Sequence, residues 1–282
     1  MASELGRIAA NIPALKNINA LNSVSNRIAA HQLRLATGKK INTPGEDPAG
    51  YMLARGLESR VRGLGVAMEN VSNAQNILDI AEGGYANIMD LLQTAKEKAT
   101  QAADGGYSST QRQAIHDQVA ALIQEVDEIV NNTTFNGTSL IDGTFNTTFQ
   151  TGEIASETLA VTLNSADSAT LNITVGDSAG SGDIYLGTQA SANEAITAIS
   201  TAIDTLSQNM KDVGEFKVRL ESKERTLTHA MTNTEAIRST IEDADFAKEQ
   251  MEVMKLQILQ QTTLSSLAQA NAAPQLVLSL FR

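Results

Sequence analysis

Apolar residues recur along most of this chain at alternating steps of three and four, the spacing that lines one face of a helix. The first run is Leu5, Ile8, Ile12, Leu15, Ile18, Leu21, Val24, Ile28 and Leu35. Pro13 would break a helix interior, so the regular part is predicted to begin after Asn11 with Pro13 in its first turn. Thr37-Gly38 ends the pattern, and residues 42–50 are dense in turn formers. A longer run follows through Leu53, Leu57, Arg60, Leu64, Ala67, Val71, Ala74, Leu78, Ala81, Tyr85, Ile88, Leu92, Ala95, Ala99 and Ala102. At the helical rise such a stretch spans roughly 75 Å, a coiled-coil seam rather than an ordinary globular helix. Asp104-Gly105-Gly106 stops it. Ser109 or Thr110 is expected to cap a third helix with its seam at Ile115, Val119, Leu122, Val126 and Ile129, and the short link implies an antiparallel return.

The character then changes. Residues 131–188 hold no Lys or Arg and are crowded with Thr, Ser, Gly and Asn. Alternation at 158–163 and 171–175 predicts short strands joined by turns. The helical period resumes at Ala192, Ile196, Ile199, Ile203, Leu206, Met210, Val213, Lys217, Leu220, Glu224, Leu227 and Met231. The last stretch, 237–282, reads as one helix with Ile237, Ile241, Ala244, Ala247, Met251, Met254, Ile258, Leu264 and Leu267 on one face. Phe246, Val253, Leu256 and Leu259 add large apolar groups to the other. A helix apolar nearly all round is buried somewhere. The fold class expected is mainly α: an elongated antiparallel helical bundle or coiled coil with a small β-rich segment, both termini together at one end.

Composition narrows the function. Aromatics are 4% of the 282 residues with no Trp, which fits long packed helices better than one compact core. No Cys is present, so disulfides and thiolate metal sites are excluded. The amino end is not followed by an apolar signal region, and no run of about 18 apolar residues occurs, so neither a Sec signal peptide nor a membrane partner is expected. The net charge of −11 argues against nucleic acid. Its distribution is uneven: residues 1–65 hold nine Lys and Arg against four Asp and Glu. His31, His116 and His229 lie far apart and read as surface or structural groups. Gly63-x-Gly65, Gly83-Gly84 and Gly105-Gly106 lack the strand-to-helix setting of a phosphate cradle. No catalytic, metal or cofactor site is expected, and Glu242-Asp243-Ala244-Asp245 reads as a helix N-terminus complementing its dipole.

Particular residues carry a resemblance. Ile41-Asn42, Glu46-Asp47, Ala49-Gly50, Arg112-Gln113-Ala114-Ile115 and Phe135-Asn136-Gly137 in the first half resemble the bacterial flagellins. So do residues 238–246, Gln257-Ile258-Leu259-Gln260-Gln261, Leu267-Ala268-Gln269-Ala270-Asn271 and residues 274–280 in the second. The chain resembles a short form lacking the large outer domains of longer relatives.

The resemblance implies a structural subunit, not an enzyme, that self-assembles into the extracellular flagellar filament for swimming motility after export by the flagellar type III route. It implies an inner coiled-coil domain from residues 1–42 and 237–282, and a shell domain from 43–236 containing the β-rich 131–188. The implied self-assembly core is Leu5, Ile8, Ile12, Leu15, Ile18, Leu21, Met251, Met254, Ile258, Leu264, Leu267, Leu278, Leu280 and Phe281. Implied partners are further copies of the chain, an export chaperone, and the junction and cap proteins. The positions equivalent to the family's Toll-like receptor patch are Gln93, Thr94, Glu97, Lys98, Gln101 and Gln118. A hydroxyl, a cation and an amide stand here at Thr94, Lys98 and Gln118 in place of the family's arginine, apolar contact and carboxylate, which predicts weak recognition. The alternatives are a hook-filament junction protein and, outside the family, a coiled-coil adhesin or secretion-needle protein.

Overall fold

The structure, a computed structural model, describes residues 11–176 and 183–280, with side chains as far as residue 272. Its elements are α1 (Ile12–Thr37), α2 (Pro48–Ala102), α3 (Ser109–Asn132), β1 (Thr134–Phe135), β2 (Thr138–Ser139), β3 (Asn146–Gln150), β4 (Thr158–Thr162), α4 (Gln189–Glu242) and α5 (Phe246–Leu280). They divide into two compact units, Met1–Val61 with Asn233–Arg282, and Arg62–Thr232. Among the described residues no helix is long and apolar enough to cross a membrane.

In the unit Arg62–Thr232 the predicted α2 seam is buried at every step from Leu64 to Ala102. On α4 half of the predicted positions, Ala192, Ile199, Leu206, Val213, Leu220 and Leu227, are buried, but the alternate position is shifted by one residue: Ala195, Ala202 and Asn209 are buried, while Ile196, Ile203 and Met210 are only partly so. Lys217 Nζ reaches Asp79 Oδ1 at 2.7 Å and Glu82 Oε2 at 2.6 Å, and Gln75 donates to Glu224 at 3.1 Å, which fixes α2 and α4 antiparallel. Around α3, Arg112 donates to the carbonyls of Ala102 and Asp104 and closes the antiparallel return.

The helix-start and strand expectations need two corrections. Ser108, one residue earlier than predicted, caps α3, because it forms a reciprocal capping box with Gln111. The 158–163 alternation is a strand, β4, paired antiparallel with β3 from Asn146↔Thr162 to Gln150↔Thr158, and Leu159 and Val161 point into the core. Residues 171–175 are not a strand. Leu171 and Ile173 are buried, but on a turn closed by Leu171 N to Asp167 O and Ile173 N to Ser168 O, with Asn172 at φ 54° between them. At Asn136-Gly137, φ values of 50° and 78° make the tight β1–β2 hairpin turn that this dipeptide favours.

Adjacent glycines in α2 give opposite expectations. A Cβ on Gly83 meets nothing within 4 Å, so Gly83→Ala gains helix propensity and stabilises the monomer by about 0.5–1 kcal/mol. A Cβ on Gly84 would sit 2.9 Å from Thr133 Oγ1, which is itself bonded to Ile129 O, and 3.0 Å from buried Ile141. Overpacking there outweighs the propensity gain, and Gly84→Ala is expected to cost about 1 kcal/mol net. Urea unfolding of the two variants checks the sign of each.

In the other unit, α1 starts as predicted: Asn11 caps it, Pro13 lies in the first turn, and Gly38 ends it at φ 70°. The α1 and α5 helices run antiparallel, with Asn11 Nδ2 to Ala270 O at 2.8 Å near one end and His31 Nδ1 to Glu249 Oε2 at 2.5 Å near the other. The expected single helix over 237–282 is broken at 243–245. There Lys39 and Asp243 form a β-bridge, Lys40 N donates to Glu242 O, and Ala244 N to Gly38 O. Asp245 then accepts from Ala247 N and Lys248 N and starts α5, as its acidic run foretold. Buried Glu242 is satisfied by Lys39 Nζ at 2.6 Å and Arg238 at 3.0 Å. In the turn after α1, Glu46 accepts from the Asn42 and Thr43 amides and from Arg34. The Asn42 amide leads in holding its carboxyl below the usual range, against some loss of hydration.

Candidate functional site

The described side chains of α1 and α5 bury little of what they carry. Only Ala14 and Ile28 are buried among the 26 residues of α1, whereas α3, of 24 residues, buries six. On α5 the buried side chains are Glu249, Val253 and Leu256. The stripe that meets α1 therefore runs 249, 253, 256, 260, 263, 267 and 270, which with Glu252 are the positions buried or partly buried among the described side chains of α5. Of the two apolar faces of α5, Val253 and Leu256 turn inward, and Met251, Met254 and Ile258 turn outward. The inward stripe is interrupted by Glu249, Gln260 and Thr263, so hydrogen bonds from His31 and to Ser25 occupy part of the seam. Polar groups at the seam set register and leave the larger apolar groups outside.

The outward surface is where the expected assembly residues fall. Leu15, Ile18, Met251, Met254, Ile258 and Leu264 are exposed, with Ile258 64% accessible, and Ile12, Leu21 and Leu267 are half-buried. Leu5, Ile8 and Phe281 lie outside the described residues, and Leu278 and Leu280 lie where only the helical backbone is described. Leu33 and Leu259 join the exposed set, and Leu33 stands outside the α1 periodicity, so no sequence pattern marked it. Met52 and Leu53 at the start of α2 are exposed too, which corrects the expectation that Leu53 begins the buried seam. Covering eight such side chains, Leu15, Ile18, Leu33, Met251, Met254, Ile258, Leu259 and Leu264, offers on the order of 10 kcal/mol before the costs of association.

The six receptor-patch positions lie on α2 and α3. Gln93, Thr94, Glu97, Gln101 and Gln118 are exposed and Lys98 is half-buried. Thr94 Oγ1 donates to Asp90 O of its own helix, and Gln101 donates to Tyr107 Oη. The histidines are dispersed: His31 pairs with Glu249, buried His116 stands edge-on to Tyr185 with ring centroids 5.4 Å apart, and His229 is exposed on α4. Among the described residues no group of three or more His, Asp or Glu could hold a metal ion.

A well-packed helical and β unit, joined in sequence to an antiparallel helix pair with most of its apolar surface uncovered, defines a self-associating helical subunit. Comparison with known proteins gives the class its family. Residues 8–146 match the bacterial flagellin N-terminal helical region, and residues 196–281 match the bacterial flagellin C-terminal helical region. Flagellin FlaB1 of Treponema pallidum is 32% identical over 88% of this chain and 90% of its own. The flagellin of Bacillus subtilis is 32% identical over 98% and 100%. A flagellar hook-associated protein of Vibrio parahaemolyticus shares the fold, with a TM-score of 0.58 at 12% identity, covering 70% of this chain and 100% of that one. The chain belongs to the flagellin family, whose members are the structural subunits of the extracellular bacterial flagellar filament.

Proposed function

We propose that this subunit enters the filament through the outward stripe of α1 and α5, with residues 1–42 and 237–282 forming the inner assembly domain and 43–236 the shell around it. The observation that carries the proposal is the exposure of Met251, Met254, Ile258 and Leu264 on a helix whose other face is already occupied by α1. Helical self-assembly needs complementary surfaces that do not close on themselves, and an apolar stripe left open on a paired helix is such a surface. Ile258→Glu places a charge on it and is expected to abolish polymerisation while circular dichroism of the monomer stays unchanged. Sedimentation of the polymerised fraction reads the effect, and filaments formed by the variant at the native rate would count against this surface.

The chain works without catalysis, as a mechanical element. Its further partners follow from the family resemblance: an export chaperone that covers the same stripe before assembly, the junction proteins below the filament and the cap above it, with secretion by the flagellar type III route.

Recognition by the Toll-like flagellin receptor is weak in this proposal. Thr94 has no guanidinium fork to offer, Lys98 would carry a charge into an apolar contact, and Gln118 offers an amide for a carboxylate. Purified monomer is expected to give little signal in a receptor reporter assay, and strong activation would refute the weak-recognition reading. Introducing Thr94→Arg with Gln118→Glu is expected to raise the signal.

A further inference from the structure

Sulfur in this chain is confined to eight methionines, and there is no Cys. The described ones fall into two groups. Met68, Met89, Met210 and Met231 are partly buried against the core of the unit Arg62–Thr232. Met52, Met251 and Met254 belong to the other unit and are 74%, 59% and 49% exposed. Two of these three lie one turn apart on the outward stripe of α5, beside Ile258. The inward residues between and after them, Val253 and Leu256, carry no sulfur.

We propose that the Met251 and Met254 thioethers form an oxidation site through which peroxide controls the entry of free subunits into polymer. The proposal rests on the assembly surface described above. In the free chain each sulfur is open to attack. Its lone pair takes one oxygen from hydrogen peroxide, so that an S–O bond forms as the O–O bond breaks. The sulfur is oxidised by two electrons, and the remaining oxygen leaves with both protons as water. Methionine sulfoxide is polar and chiral, and a contact that buries it without a hydrogen-bond partner is weakened by about tenfold per sulfoxide. The α1 and α5 pairing is untouched, because neither sulfur belongs to the buried stripe. Once assembled, the same sulfurs are covered, so the sensitivity belongs to the free subunit. A methionine sulfoxide reductase would restore the surface.

The test uses the full chain. Monomer is treated with hydrogen peroxide, sulfoxides are located by peptide mass spectrometry, and polymerisation is followed by light scattering. The expected result is sulfoxide at 251 and 254 in the monomer but not in preformed filaments, loss of polymerisation with an unchanged melting curve, and recovery after reductase. The M251L/M254L variant, compared with its own untreated polymerisation rate, is expected to lose nothing after the same dose, whereas M52L gives no protection. Polymerisation at the native rate with both positions oxidised would overturn the proposal, as would protection by M52L alone. Ile258→Glu run in parallel separates the two ideas. If it polymerises normally, the assembly surface itself is wrong; if it is inert while oxidised chain assembles, only the oxidation site is lost.

Discussion

A chain ending at residue 257 is expected to stay soluble and folded but to form no filaments. The deletion removes Ile258, Leu259, Leu264 and Leu267 together with the part of α5 that Asn11 and Ser25 hold against α1. It leaves the main core alone, since the buried cluster of the other unit runs from Leu64 to Leu227 and includes no residue of α5. Its melting transition is therefore expected to match that of the full chain, with polymerisation lost altogether. Electron microscopy and sedimentation of the shortened chain check this. Long filaments from it would show that assembly does not depend on the carboxyl end.

The second large effect is on stability and centres on Tyr85. Its ring is fully buried on the α2 seam, and its hydroxyl donates to Asn164 O at 2.5 Å. Asn164 in turn donates to Asn209 Oδ1 on α4, and Asn209 donates to Ser165 O. One aromatic residue thus ties α2, the segment after β4 and α4 into a single polar clasp inside an apolar core. Tyr85→Ala removes the ring and leaves a cavity, costing about 3–5 kcal/mol. Tyr85→Phe keeps the packing but leaves the Asn164 carbonyl short of a donor, costing about 1–2 kcal/mol.

The same group predicts a pH dependence. Burial, with a smaller contribution from the Asp212 charge, pushes the Tyr85 phenol above its ordinary 10.0. Its contribution is fully present below that value and is lost as pH rises beyond it, because the unfolded chain then releases a proton that the folded one retains. Urea midpoints above pH 10 are expected to fall more steeply for the native chain than for Tyr85→Phe.

Long helices were legible because a two-sided seam leaves a strict pattern: every predicted α2 position from Leu64 onward is buried. Local chemistry marked the Pro13 start and the Gly38 stop equally well. The break before α5 escaped the periodicity because no Gly or Pro stands there. It is made by a long-range bridge from Lys39, and only the acidic run 242–245 hinted at it. The facing of α5 is open in the sequence for a related reason. Both of its faces are apolar, and the choice between them is settled by Glu249 and Gln260, polar residues that find partners in His31 and Ser25 on α1. Such a pairing cannot be read from one helix alone. The 171–175 alternation reads as a strand, but hydrogen bonds to Asp167 and Ser168 bury Leu171 and Ile173 on a turn instead, a closure that apolar spacing does not mark.

The most direct test of the central claim is a helical reconstruction of the filament at side-chain resolution. The expected map has α1 and α5 at the innermost radius with Leu15, Ile18, Met251, Met254, Ile258 and Leu264 packed between neighbouring subunits. A map that leaves those six side chains facing solvent, with the subunits joined through other surfaces, would contradict it.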